Sequence, residues 1–350
     1  MNGRAWSLAL LSAALLLSKA PCRAAPALKG VDLYRSQQLA LERVDKELSG
    51  KIQAYMRLRG DSRKSLQRSA QKLHSDIEAA VGKMGRFAFV RMDYAEFATS
   101  ASHDAYITFD LVDEADAAKR MPFRPRPKGS IPDPDGLIAA WTGYSELGYS
   151  LIAQGLLGSS PPRCPGYYCL WGPATPELAA LERQMADGVE RAKPQLLDLL
   201  EYDKDPQKRA NALYVLSFLK DGPTVSGLMT QAITDPDFEV RGAALSVLSD
   251  IARYHKGLFI EINRVLPMLD FPTVSDRSQA LALLVAVADN PIYRVYLESR
   301  APRYLLPLLK QRHPNTHDLS YTLLSMLSQQ RFDRRDYASW ERWVASQDGH

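Results

Sequence analysis

Three features that the sequence lacks or has little of limit the class of protein it can encode. It has few cysteines, no apolar run of membrane-spanning length and no familiar catalytic motif. The chain has 3 Cys in 350 residues. Its apolar run at residues 8–17 covers about half of the roughly 20 residues that a transmembrane helix needs, so a permanent membrane anchor is not expected. The sequence also lacks a Gly-x-Ser-x-Gly nucleophile elbow and any His-Glu pair. These absences predict no catalytic constellation and no cofactor.

The first 24 residues have the pattern of a cleavable secretory signal. A basic start at Arg4 precedes the apolar run, and small residues end the segment at Ala24. A lipid-anchored form through Cys22 is disfavoured, because Lys19 and Pro21 stand where a lipobox has apolar and small residues. We therefore predict an exported protein, periplasmic or extracellular, with residues 1–24 as its signal peptide.

Charge gives no indication of a nucleic-acid partner. Removal of the signal takes away three of its basic residues, which lowers the formal net charge from +4 to +1. The 46% of hydrophobic residues can fill ordinary cores, and the length allows two or three domains. We expect a globular protein whose partner is not nucleic acid, and nothing in the sequence fixes its oligomeric state.

The mature chain keeps a single pair of cysteines, Cys164 and Cys169. In an oxidising compartment this pair predicts a disulfide worth about 2 kcal/mol, enough to fix a loop but not a domain. A redox-active dithiol normally has two intervening residues, and no Cys or His lies nearby to complete a zinc site. The loop also carries aromatic residues, Tyr167, Tyr168 and Trp171, which could anchor a partner or pack over a neighbouring helix.

The N-terminal half divides into three segments. Residues 25–121 predict a small α+β region, in which a helical hairpin between residues 31 and 84 precedes two strands near residues 87–92 and 106–112 and a short helix. Residues 122–136 are rich in Pro and basic residues and predict a linker. Residues 137–193 predict a helical connector that contains the disulfide loop.

Residues 194–350 contain a repeating pattern in which an X-Pro pair precedes an apolar helix. Pro206, Pro236, Pro272 and Pro314 stand 30, 36 and 42 residues apart. Proline costs no hydrogen bond in the first helical turn, and the preceding Asp can cap the helix. A unit of this kind cannot bury its own apolar face, so the pattern predicts stacked helices, closed by a capping helix around Trp340.

This pattern resembles HEAT repeats, including those of uncharacterised exported bacterial proteins. The resemblance implies a mostly α protein whose C-terminal part is a HEAT-like α-solenoid of paired helices with a concave face that binds proteins or peptides. The recurring Asp and Arg residues then have two interpretations, an ion-pair ladder between repeats, which we favour, or a phosphate-binding ridge. The ladder residues are Asp205, Arg209, Asp235, Arg241, Asp276 and Arg277.

Two further surfaces could carry function. A basic stretch between residues 51 and 91 could approach an anionic envelope surface or an acidic partner, although a solvated helical face is the simpler interpretation. Its central residues are Arg57, Arg59, Arg63, Lys64 and Arg68. His313, His317 and Asp318 are weak candidates for a metal site, because Pro314 places the first His outside the helix.

The sequence therefore predicts an exported, non-catalytic scaffold that binds a protein or peptide partner. Two alternatives remain open. One is a periplasmic hydrolase or metal-dependent enzyme with its site between the N-terminal region and the solenoid. Its candidate residues are His103, His313, His317 and Asp318. The other is a protein that binds the cell-envelope surface through its basic N-terminal helices.

Overall fold

The computed structural model describes residues 25–60, 63–157 and 164–347. The predicted signal peptide, residues 1–24, lies outside the described residues. The described chain is mostly helical, with one small three-stranded sheet. None of its helices is both long enough and apolar enough to span a membrane.

The sheet has one strand more than the sequence predicts. Its strands are β1 (Ala27–Tyr34), β2 (Phe87–Ala98) and β3 (His103–Asp113), in the order β1-β3-β2. β2 runs antiparallel to β3, whereas β1 runs parallel to it. The prediction of helix from residue 31 onwards is wrong over β1, because residues 27–34 complete the sheet and the first helix begins only at Leu41.

Two helices cover one face of the sheet. α1 (Leu41–Arg59) and α2 (Lys64–Gly82) form the predicted hairpin, and apolar side chains spaced three or four residues apart give each helix a buried stripe. These stripes pack with Met92, Ile107 and Phe109 of the sheet in one apolar core. Alternation along the strands sends the neighbouring residues, which are largely polar, to the opposite face.

Little regular structure joins the sheet to the remaining helices. A 3₁₀ turn at Glu114–Asp116 and the four-residue α3 (Ala117–Arg120) follow β3, so the predicted short helix is only one turn long. Residues 122–136 then cross the ends of later helices in an extended course that ends in a 3₁₀ turn at Pro134–Gly136. The backbone N–H of Gly129 donates to the carbonyl of Tyr202, and Arg124 Nη2 donates to the carbonyl of Leu200.

The rest of the described chain is helical, and most helices begin at or just after a proline. Proline is favoured there because the N–H that it lacks would have no partner within the helix. In order they are α4 (Leu137–Ala153), α5 (Pro176–Tyr202), α6 (Pro206–Leu216), α7 (Gly222–Ala232), α8 (Phe238–Tyr254), α9 (Ile262–Val265), α10 (Val274–Val287), α11 (Pro291–Arg300), α12 (Pro302–Leu309), α13 (Pro314–Ser328) and α14 (Tyr337–Gln347).

The helices that follow the repeating X-Pro pairs stack side by side. α6 packs on α8, α8 on α10 and α10 on α13, while α7 and α12 lie against α8 and α13. The growing repeat length has a local cause. One α-helix, α7, separates α6 from α8, whereas α11 and α12 both lie between α10 and α13. α14 packs on α12 and ends the stack with Trp340 fully buried.

The polar face of the sheet rests on the first turns of α10 and α13. Asp110 of β3 accepts the backbone N–H of Val274, and Asp32 of β1 accepts the backbone N–H groups of Arg312 and His313. Asp110 thus satisfies an N–H group that α10 leaves unpaired in its first turn, and Asp32 satisfies the two N–H groups just before α13. The sheet is therefore held between α1 and α2 on one side and the helical stack on the other.

Candidate functional site

A row of buried Arg–Asp pairs runs across the helical stack. Arg209 of α6 donates to both carboxylate oxygens of Asp235, at 3.0 and 2.8 Å, and Arg241 of α8 donates to both oxygens of Asp276, at 2.8 and 2.7 Å. Each of these arginines also donates to a backbone carbonyl in the turn before its own helix. Asp205 has a different role, since it caps α6 by accepting the backbone N–H of Gln207. With their donors satisfied internally, these arginines are not available to bind a phosphate.

The row ends in the sheet. Arg277 of α10 donates to Asp110 of β3 at 2.6 Å, and both side chains are fully buried. Two guanidinium groups and a backbone N–H outweigh burial and hold the pKa of Asp235 below its usual value. Asp110 faces a single guanidinium, and complete burial raises its pKa to about 6.

A cleft opens between the sheet and the starts of α8 and α10. This sheet-side cleft has a volume of about 800 Å³ and is bordered by β2, α2 and the extended linker segment. Arg91 reaches across it and lies 4.2 Å above the ring of Phe238. Asp93, two residues further along β2, has no hydrogen bond or ion pair within the described part of the chain, and burial raises its pKa.

The free edge of β2 faces this cleft. The backbone N–H of Met92 donates to Glu78, and its carbonyl accepts from His74 Nε2, so this residue points away from β3 and towards α2. In an antiparallel pair, outward groups recur at every second residue, which places those of Val90 and Tyr94 along the same edge. Side chains of α2 therefore close the middle of an otherwise exposed strand edge.

A second cavity lies on the exposed face of α6, α8 and α10. This helix-side pocket has a volume of about 550 Å³, and its floor on α8 consists of small residues, with Gly242 and Ser246 at the centre. Phe238 lines both the pocket and the sheet-side cleft, so the two cavities adjoin. The two cavities thus lie side by side across the first turn of α8, and we refer to them together as the groove.

The disulfide loop closes one end of the groove. The sulfur atoms of Cys164 and Cys169 lie at bonding distance, 1.96 Å, as predicted. Tyr168 stacks on Tyr214 with 5.0 Å between ring centroids and lines the pocket. Tyr167 instead donates its hydroxyl proton to the carbonyl of Lys220. The loop thus packs over α6 and also presents one aromatic face to the groove.

Trp171, the third aromatic residue predicted to bind, packs back onto α4. Its indole ring lies against Gly148 and makes an edge contact with Tyr149. Its backbone N–H donates to the hydroxyl of Tyr144, which itself donates to Glu182. Trp171 therefore holds the base of the loop and does not line the groove.

The histidines that the sequence offers for a metal or for catalysis do not come together. His313 is buried between Phe97 and Tyr106, and burial lowers its pKa to about 4. His317 donates from Nδ1 to a backbone carbonyl, Asp318 pairs with Arg334, and His103 pairs with Glu96. Among the described residues no group of three or more His, Cys, Asp or Glu side chains could hold a metal ion.

The predicted basic surface lies on α1, α2 and the turn between them. Arg57, Lys64 and Arg68 are exposed to solvent. Arg59 differs, since it lies over the ring of Tyr94 at 4.8 Å, donates to Glu96 and borders the sheet-side cleft. Arg63, at the start of α2, is also exposed and makes an interaction within the chain.

No family model, curated protein or solved structure matches this chain. The groove must therefore be judged on its own geometry. The sequence predicts neither Phe238 nor Asp250 as a site residue, and it places Arg91 only at the end of the basic stretch. One signal was present, because Glu239, Gly242, Ser246 and Asp250 recur at helical spacing and make a non-apolar stripe on a helix that is otherwise buried.

Proposed function

We propose that this protein is an exported, non-catalytic binding module that holds a protein or peptide segment in the groove across its HEAT-like helical stack. The observation that carries the proposal is the position of the sheet-side cleft and the helix-side pocket next to each other, with Phe238 lining both. Their volumes, about 800 and 550 Å³, are each in the range of ligand sites, and side by side they leave room for several residues of polypeptide.

Three features support this proposal. α6, α8 and α10 stack side by side and share one exposed face, which is compatible with the helical stack that the HEAT resemblance implies. The buried Arg–Asp pairs tie these helices together, and a preorganised surface loses less entropy on binding. The bonded cysteine pair is compatible with an oxidising compartment and hence with export.

A second candidate is an enzyme that works in the sheet-side cleft. Asp93 favours it, because an unpaired carboxyl with a raised pKa in a cleft is a typical acid–base group. Replacement by Asn would abolish such an activity and would leave peptide binding in the neighbouring pocket intact. A hydrolytic screen of the wild type and the Asp93→Asn variant, with and without a chelator, tests this candidate.

Site-specific photocrosslinking tests the binding function directly. A photoreactive residue at Ser249, which lines the pocket, should trap a partner in the cells that produce the protein, at an adduct mass that recurs between preparations. The matched control is Val295, which is 72% exposed on α11 and lies outside both cavities. Equal adducts from both positions, or none from Ser249, would refute the proposal that the groove holds the partner.

A further inference from the structure

The floor of the helix-side pocket is a stripe along α8 with a carboxylate at each end. Glu239, Gly242, Ser246 and Asp250 follow one another at steps of three or four residues, which places them on one face of the helix. Glu239 and Asp250 stand three turns apart, and a rise of 1.5 Å per residue puts their Cα atoms about 16 Å from each other. Between them, small side chains leave space for an approaching backbone.

These two carboxylates give the lining of the pocket a net negative charge. Among the described residues that line it, Glu239 and Asp250 are the charged ones, and the lining includes no Lys or Arg. Burial dominates the pKa of Asp250, and the charge of Arg253, which lies outside the lining, offsets only part of that effect. Burial raises the pKa of Asp250 to about 6, so this group is ionised at neutral pH although its surroundings disfavour the charge.

Three stacked aromatic side chains lie at the Asp250 end of the pocket. Tyr168 stacks on Tyr214, and Tyr214 stacks on Trp141 with 4.5 Å between ring centroids. Tyr168 and Asp250 both line the pocket, and the negative charge of Asp250 adds to the effect of burial in raising the pKa of Tyr168. A carboxylate and electron-rich rings in one pocket form an environment that attracts an organic cation.

We propose that the helix-side pocket binds a basic, extended peptide segment of a partner protein, with one Lys or Arg against Asp250 and Tyr168 and a second against Glu239. The inference rests on the proposed function and assigns the chemistry of its partner. At about 3.3 Å per residue, an extended chain covers the 16 Å between the carboxylates in about five residues. The segment is thus a pair of basic residues separated by about four others.

The shape of the groove favours a peptide over a small polyamine of similar charge. At Phe238 the pocket adjoins the sheet-side cleft, where the outward backbone groups of Val90 and Tyr94 flank those of Met92, which bond to α2. A polypeptide can use that cleft, whereas a polyamine has no backbone to pair with these groups. Anionic polymers are disfavoured in the helix-side pocket, because they would meet its two carboxylates, whereas Arg59, Arg91 and Arg126 border only the sheet-side cleft.

The test is fluorescence anisotropy on the full chain with its disulfide intact. The probe is a labelled peptide with two Lys separated by four Ser or Gly residues, and the comparison peptide carries Glu in both places. We expect the Lys peptide to bind and the Glu peptide not to bind. Asp250→Asn and Glu239→Gln should each weaken binding about five- to tenfold, the effect of losing one partly exposed charge pair.

Controls distinguish recognition of a basic peptide from loss of folding and from binding of any cation. Glu298→Gln, on α11 outside the pocket, should leave the affinity unchanged, and circular dichroism should show native helix content in all variants. Equal binding of the Lys and Glu peptides, unchanged affinity in both pocket variants, or tighter binding of spermidine than of the Lys peptide would each overturn the inference. A crosslinked partner at Ser249 together with such a result would leave the proposed function standing and refute only the basic chemistry.

Discussion

In the buried Arg–Asp row, the carboxylate of Asp235 accepts hydrogen bonds from two arginines and a backbone N–H. The Asp235→Asn variant should therefore unfold at a much lower denaturant concentration than the wild type. Asp235 is fully buried and accepts hydrogen bonds from Arg209, from Arg124 and from the backbone N–H of Asp237. Asn has almost the same shape but no charge. The change therefore leaves the guanidinium of Arg209 buried without its counter-charge.

The expected cost follows from that geometry. Removing one partner of a buried ion pair destabilises a protein by about 3–5 kcal/mol, because the remaining charge has lost its solvation without compensation. The chain contains a matched exposed pair, in which Arg191 donates twice to Asp135 at 3.1 and 2.8 Å. Those side chains are 72% and 50% exposed, so Asp135→Asn should cost less than about 1 kcal/mol.

Equilibrium unfolding in urea measures both variants against the wild type. The Asp235→Asn midpoint should fall far more than that of Asp135→Asn, with the slope unchanged. Adding Arg209→Met to Asp235→Asn should recover part of the loss, since it removes the uncompensated charge. Equal midpoints for the two Asn variants, or a double variant that loses the sum of both single changes, would refute the account of the row as a charge-compensated buried structure.

Three further predictions concern the groove and its loop. Replacing both cysteines of the disulfide by Ser should lower the free energy of unfolding by about 2 kcal/mol in a non-reducing thermal melt, and an unchanged melting temperature would contradict this. Asp250→Asn should be more stable than the wild type at pH 7 and equally stable at pH 4. The pKa of Asp250 in the folded protein, about 6, lies above its value in the unfolded chain. The stability that protonated Asp250 contributes at low pH is therefore lost as pH rises through 6. Gly148→Ala should cost about 1–3 kcal/mol and shift tryptophan emission to the red, because its Cβ would overlap Trp171. Gly143→Ala in the same helix meets open space and should not destabilise; similar losses in both variants would contradict the packing argument.

Local chemistry made several elements of the fold predictable from the sequence. Capping Asp and first-turn Pro residues mark the start of α6 at Pro206, and the short spacing of the two cysteines predicts their bond. β3 was found as a strand from its aromatic and β-branched residues, although it extends beyond the predicted residues 106–112. Each of these signals lies within a few residues of the feature that it specifies.

Features that depend on distant residues were not predictable in this way. β1 contains Gly30 and Asp32, which weaken its strand pattern. It is a strand because β3 pairs with it and because the backbone N–H of Arg312, just before α13, donates to Asp32. The partner of Arg277 is Asp110, which the repeat pattern does not contain. The groove likewise arises where α8 meets β2, and no local motif encodes that meeting.

The contact between β1 and α13 joins parts of the chain that lie far apart in sequence. Asp32 accepts the backbone N–H of Arg312, which stands 280 residues further along. Contacts over such a separation form slowly, because a large loop has to close before they can be made. We therefore expect the interface between the sheet and α13 to form later in folding than the local pairing of β2 with β3.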